Sequence, residues 1–359
     1  MSRRGLGQAS RNGKVLEGVG RIGWDTTTCV LFVGSTIAAM RYLGEKVTNE
    51  YVMGISGGAF KMFWEIPWGP ANCDLLIIGE EPVRRTFDAL GHDFTLIRKW
   101  RQGDPVHTER EFRELIVESI GREIPVIGIG IVGPPECCII TGYGKGGDVL
   151  HGWSYFQEDR SQYFSKEDWY KDCYGLILIG EEKPKPSHRK VILGSLIWAI
   201  KLAKEPEFIW GFPRIRRCRS GLAAFDAMAD QLLWDPVHDY EFPANNLDAL
   251  SARVVPITND GILIMECKRA HAARFVRTMA TQGLPGADEL LEAAAAYEQE
   301  VQVWHDAAKM APGWGEVAKE KLADRKHRRR LSRLIREAKV HEERAVEHLE
   351  NALEELAER

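Results

Sequence analysis

Residues Trp24–Gly44, WDTTTCVLFVGSTIAAMRYLG, decide how the first half of this chain is read. From Val30 to Leu43 almost every side chain is apolar and small enough to pack, which predicts a buried helix, and Gly44 supplies its stop. Thr26, Thr27 or Thr28 can cap it, because a hydroxyl accepts from the unpaired N–H groups of a first helical turn. Cys29 then falls on that first turn. A thiol there is either a small core residue or a nucleophile, since the partial positive charge of the helix end favours the thiolate. The same N–H groups can hold an oxyanion during acyl transfer.

Working outward, Thr108-Glu-Arg-Glu111 reads as a capping box opening a helix through Ile120, with Gly121 as its stop. Extended segments follow at Ile124–Ile131, Cys137–Tyr143, Val149–Phe156 and Tyr174–Gly180. The glycines of GKGGD between the second and third allow positive φ, so these two form a hairpin. Helices followed by a mainly antiparallel sheet define an α+β class, not a doubly wound one. Gly128-Ile-Gly130-Ile-Val-Gly133 matches a dinucleotide fingerprint, but Pro134-Pro135 and another β run follow it where that motif requires a helix.

Composition shifts near EEKPKPSHRK (Glu181–Lys190), where two prolines interrupt regular structure. The expected domains are therefore 1–183, α+β, and 184–359, α-helical. Helical periodicity marks Lys190–Lys204, Gly221–Trp234, Ile262–Thr281 and Ala287–Ala308, and one long terminal helix runs from about Glu316 to Ala357. In that helix Leu331, Ile335, Ala338, Ala345, Leu349, Ala352 and Leu356 form a seam in which Glu342 is the polar intruder. An antiparallel helix of the same domain is the expected cover, with a homodimer through this helix as the alternative. The basic run Arg325–Arg330 is flanked by acidic residues and reads as a solvated face.

The chain has 359 residues with a net charge of -4, which gives no electrostatic reason to expect nucleic acid. Its seven cysteines are an odd number without disulfide spacing, and no run is apolar enough for a signal peptide or a membrane span. A cytoplasmic protein without a membrane anchor is expected. No zinc-type spacing occurs, and neither metal nor cofactor is expected.

Thr28-Cys29, the helix ending Arg41-Tyr-Leu-Gly44 and then Ile55-Ser-Gly-Gly-Ala-Phe60 resemble the N-terminal domain family of butirosin biosynthesis protein H. That family is similar to the bacteriocin-processing cysteine peptidases. Pro125-Val-Ile-Gly128, Ile139-Ile-Thr-Gly-Tyr143 and, in the helical half, Gly221-Leu-Ala-Ala-Phe-Asp226 fit the same pattern. The resemblance implies a papain-like fold with Cys29 as nucleophile and, for the butirosin protein, acyl transfer from a carrier protein onto an amine. Glu136 stands where the family's histidine is expected, Gly152-Trp153-Ser154 where an aspartate is expected, and Gly23 where the oxyanion glutamine is expected. His151, His107 and His92 are the nearby substitutes for the missing imidazole.

Trp24, Trp64, Trp68, Tyr143, Trp153, Tyr155 and Phe156 gather near these segments, as in an aromatic ligand pocket or simply a core. The expected site therefore has Cys29, Glu136 and His151 as catalytic residues. Trp24, Thr28, Gly57, Gly58, Trp64, Tyr143 and Trp153 line it for a small-molecule or acyl-carrier-linked substrate. The competing expectation is a catalytically degenerate fold that binds a ligand or partner.

Overall fold

The computed structural model describes residues 13–23, 29–66, 72, 74–99, 107–210, 216–235, 240–241, 247–311 and 315–357. In chain order the elements are β1 (Gly13–Val15), α1 (Leu31–Tyr42), α2 (Asn49–Ser56), β2 (Phe63–Ile66), α3 (Glu81–Leu90), β3 (His92–Arg98), α4 (Glu109–Gly121), β4 (Val126–Ile129), β5 (Cys137–Gly144), β6 (Val149–Trp153), β7 (Phe164–Lys166), α5 (Trp169–Asp172) and β8 (Gly175–Glu182). There follow α6 (His188–Lys204), β9 (Glu207–Trp210), β10 (Arg216–Ser220), α7 (Leu222–Gln231), β11 (Trp234–Asp235), β12 (Tyr240–Glu241), α8 (Leu247–Val255), a π-helical turn (Pro256–Leu263), α9 (Ile264–Ala280), α10 (Ala287–Met310), α11 (Glu316–Ala323) and α12 (Arg325–Ala357). The molecule is α+β, and the chain divides into two units. One holds 1–49 and 87–185; the other holds 50–86 and 186–359. The break at 185 falls beside the proline-rich stretch, but residues 50–86 belong with the helical unit, where the sequence placed them with the sheet. Strand β2 explains that assignment, because it pairs with β10 of the helical unit.

In the sheet unit the order is β3-β8-β4-β5-β6-β7, and β1 pairs with the end of β5; every pairing is antiparallel. The β5–β6 turn runs through Lys145–Gly147, where Gly146 at φ 68° and Gly147 at φ 103° supply the expected left-handed backbone. A Cβ on Gly147 would meet the Arg113 side chain at 2.4 Å. Helix α4 carries both halves of its capping box: Thr108 accepts from the Glu111 N–H, and Glu111 accepts from the Thr108 N–H at 2.6 Å. Gly128, Gly130 and Gly133 lead from β4 through a turn into β5, so no helix follows them.

Helix α1 is apolar on nearly every face and accordingly buried, packing on β4 and β5. It ends in a Schellman-type turn: Gly44 stands at φ 90° and the Glu45 N–H donates to the Met40 carbonyl at 2.9 Å. Its start differs from expectation. The N-cap is Val30, extended at φ -120°, ψ 116° and without a side-chain cap, so Cys29 precedes the helix instead of lying on its first turn. The candidate caps Thr26, Thr27 and Thr28 lie outside the described residues.

The helical unit packs α12 against α10, α7 and α6. All seven seam residues and Glu342 are buried in this packing, so the unit itself covers the seam. The expected single terminal helix is two helices, broken at Asp324. There Arg328, from the basic run, is buried and donates to the carbonyls of Leu322, Ala323 and Leu232. It thereby satisfies the open carbonyls of two helix ends, which water cannot reach.

Candidate functional site

The sheet unit carries Cys29. Cys29 is half-buried, whereas Cys137, Cys138 and Cys173 of the same unit are buried. Burial pushes the Cys138 thiol up to about 12, with a second contribution from nearby Cys173. Burial does the same to Cys173, also to about 12. Both thiols are closed to reaction at neutral pH.

Two paths through the fold locate Cys29 relative to the sheet. First, β1 runs antiparallel to β5 from Gly144 toward Gly142, and Leu16 continues onto the Thr141 carbonyl. The Val19 carbonyl then accepts from Trp153 Nε1, and Trp153 stands opposite Ile139. The chain approaching Cys29 is thus carried toward the Glu136 end of β5. Second, helix α1 finishes at the other end. Glu45, just beyond it, is ion-paired with Lys185 at 2.7 Å, and Lys185 lies against Gly91 where β3 begins. In register, His92 opposes Glu182, far from the Gly175–Ile129 pair. A helix of 12 residues spans about 18 Å. The start of α1 therefore lies toward the edge where Ile129, Cys137 and Glu136 come together.

This separates the expected catalytic set. Glu136 is buried, its carbonyl accepting from the Gly130 N–H at 2.9 Å, at the edge from which α1 starts. His151 lies opposite Gly142, with its Nε2 3.4 Å from where a Cβ on Gly144 would stand. Six residues of strand, about 20 Å, part Glu136 from that position. Cys29, Glu136 and His151 do not form one constellation. His92, at the start of β3, is at the far end as well. His107 precedes α4, its carbonyl accepting from the Tyr170 hydroxyl.

The aromatic residues sort the same way. Trp153, its ring tilted against Tyr163 at 4.7 Å between centroids, lies on the Glu136 side of the sheet. Tyr143 is buried toward the opposite end, across from Lys14. Trp24, Thr28 and Trp68 lie outside the described residues. Gly57, Gly58 and Trp64 belong to the helical unit. There the Trp198 ring occupies the space a Cβ on Gly57 would need, and the Gly58 N–H donates to Ser56. Trp64 sits in the helical core with Met228, Trp304 and Ile335, donating to Gln231 at 2.6 Å. These three serve packing, and a pattern of isolated tryptophans carries no signal that tells a core from a cleft.

Two aromatic residues at the Glu136 edge were less legible. Phe156 rests against Gly133 and Tyr174 against Gly130, both glycines at positive φ, and the two rings are 40% and 39% exposed. Ser154 anchors the same turn by donating to the Val132 carbonyl. In the sequence Phe156 stands out only as one of a cluster of aromatic residues, and Tyr174 only as the start of a strand.

Among the described residues no helix is long and apolar enough to cross a membrane, and no group of His, Cys, Asp and Glu is arranged to hold a metal ion. The chain matches no protein-family model and no curated protein.

Proposed function

We propose that the sheet unit performs thiol-dependent acyl chemistry, with Cys29 attacking the carbonyl of a thioester or amide on a small molecule or carrier-bound acyl group. The observation that carries this reading is the contrast between thiols: Cys29 is only half-buried at the approach to a buried helix, while Cys137, Cys138 and Cys173 of the same unit are sealed in the core. Attack forms the C–S bond and expels the leaving thiol or amine. Transfer to an amine or to water then breaks that bond and regenerates the thiol. Glu136, on the same sheet edge, is the proton acceptor this geometry favours over His151. A papain-like fold, and kinship with the butirosin protein H family, are part of the proposal. Their support is a cysteine-led helix packed on an antiparallel sheet.

The test is acyl-enzyme formation with an activated thioester, followed by mass spectrometry of the intact chain. Wild type is expected to gain one acyl group and Cys29→Ala none; equal labelling of both sinks the mechanism.

A second reading is favoured by one observation, the placement of His151 and His92 at the far end of the sheet. Without either of these imidazoles the unit would be a binding module. In that case Cys29→Ser retains ligand binding and the wild type forms no acyl adduct.

A further inference from the structure

Away from the thiol, the helical unit buries a charge arrangement that does not balance. Arg269 on α9, Glu300 on α10 and Glu342 on α12 are all fully buried. Arg269 Nε lies 2.6 Å from Glu342 and 3.2 Å from Glu300, and its Nη1 donates to the Ala59 carbonyl at 2.7 Å. One guanidinium therefore faces two carboxyl groups. Glu300 Oε1 accepts from Trp304 Nε1 at 2.8 Å, no N–H donor reaches its Oε2, and its carboxyl is hydrogen-bonded to that of Glu342, a contact between two carboxyl groups that needs a proton. An ionised Glu300 would leave an anionic oxygen facing a second carboxylate inside a buried core, which is strongly unfavourable. The ionisable groups facing it are Arg269 from α9, Glu342 from α12 and Tyr297 one turn back on α10. The π-helical turn, also packed on α10, brings Asp260, whose carboxylate is taken by the Asn72 N–H.

We propose that Glu300 is a buried carboxylic acid that keeps its proton at neutral pH, making the α9–α10–α12 junction a latch that loosens when this proton is lost. The shorter contact assigns Glu342 as the anion for Arg269, so the junction is neutral as a whole. Burial, and then the neighbouring Glu342, raise Glu300 well above the usual carboxylate range, Arg269 opposing. Because the folded state holds this proton more tightly than the unfolded chain, the stabilisation is complete below the unfolded value. It is lost as pH rises through the folded one.

Infrared spectroscopy of the full chain at neutral pH, where surface carboxyls are ionised, is expected to show a protonated-carboxyl band equivalent to one group. Glu300→Gln is expected to remove it. From the unfolded carboxylate value upward the folding constant of the wild type is expected to fall up to tenfold per pH unit relative to this variant, levelling off above the folded value. No protonated-carboxyl band in the wild type overturns the proposal, as does a band that survives Glu300→Gln. If that variant does not fold, Glu342→Gln leaves one carboxylate for one guanidinium and is expected to lose the band; retention overturns the proposal.

Discussion

Alkylation of the native chain by iodoacetamide should fall on Cys29 within the sheet unit, and the size of the preference follows from burial. Cys138 and Cys173 are held at about 12 by burial. A thiol at that value carries roughly a thousandfold less thiolate at neutral pH than an ordinary one. Only the thiolate reacts, and both sulfurs are also fully shielded, so an opening of the fold must precede each reaction. Cys138 and Cys173 must therefore label at least ~1000-fold more slowly than they would as ordinary thiols. Mass spectrometry of peptides after timed labelling measures each site separately, with Cys267 of the helical unit as a second half-buried thiol for comparison. Labelling of Cys138 or Cys173 within tenfold of Cys29 in the folded protein would refute the reasoning. So would a Cys29 that reacts only in denaturant. Either result removes the basis for treating it as a nucleophile.

Thr108→Ala deletes half of the α4 capping box and is expected to cost about 1 kcal/mol in urea unfolding, with acyl labelling intact. Hydrogen bonding from the Thr108 backbone holds Glu111 below the usual carboxylate range, so this cap's contribution persists above the unfolded value and fades as pH falls through the folded one. Trp64→Phe removes the donor to buried Gln231 and is expected to destabilise by about 1–3 kcal/mol. The labelling rate at Cys29 should not change; a large fall in that rate would return Trp64 to the substrate site.

The features legible in the sequence are those whose partners are close along the chain. The capping box at Thr108 needs a residue three positions on, the β5–β6 turn needs adjacent glycines, and the α12 seam needs only its own repeat. Gly44 ended α1 as expected for the same reason. The start of α1 differs by one residue from the expected Val30, and its N-cap is Val30 itself, because a run of threonines offers caps without dictating which residue turns extended. Glu342 looked like an error in the seam until Arg269, 73 positions earlier, supplied its partner. The fate of Trp64 was equally hidden, since its core is assembled from α7, α9, α10 and α12.

The sequence by itself determined an α+β chain with an antiparallel sheet and a C-terminal helical region, and placed Cys29 at the mouth of an apolar helix. Short-range hydrogen bonds and side-chain periodicity are enough for that. It did not show that the helical unit also carries the small sheets β2-β10-β9 and β11-β12. Only the tertiary structure decided that Glu136 shares an edge with the start of α1 while His151 does not, and that residues 50–86 join the helices. Strand register and helix direction are set by contacts between segments tens to hundreds of residues apart, and no local pattern encodes them.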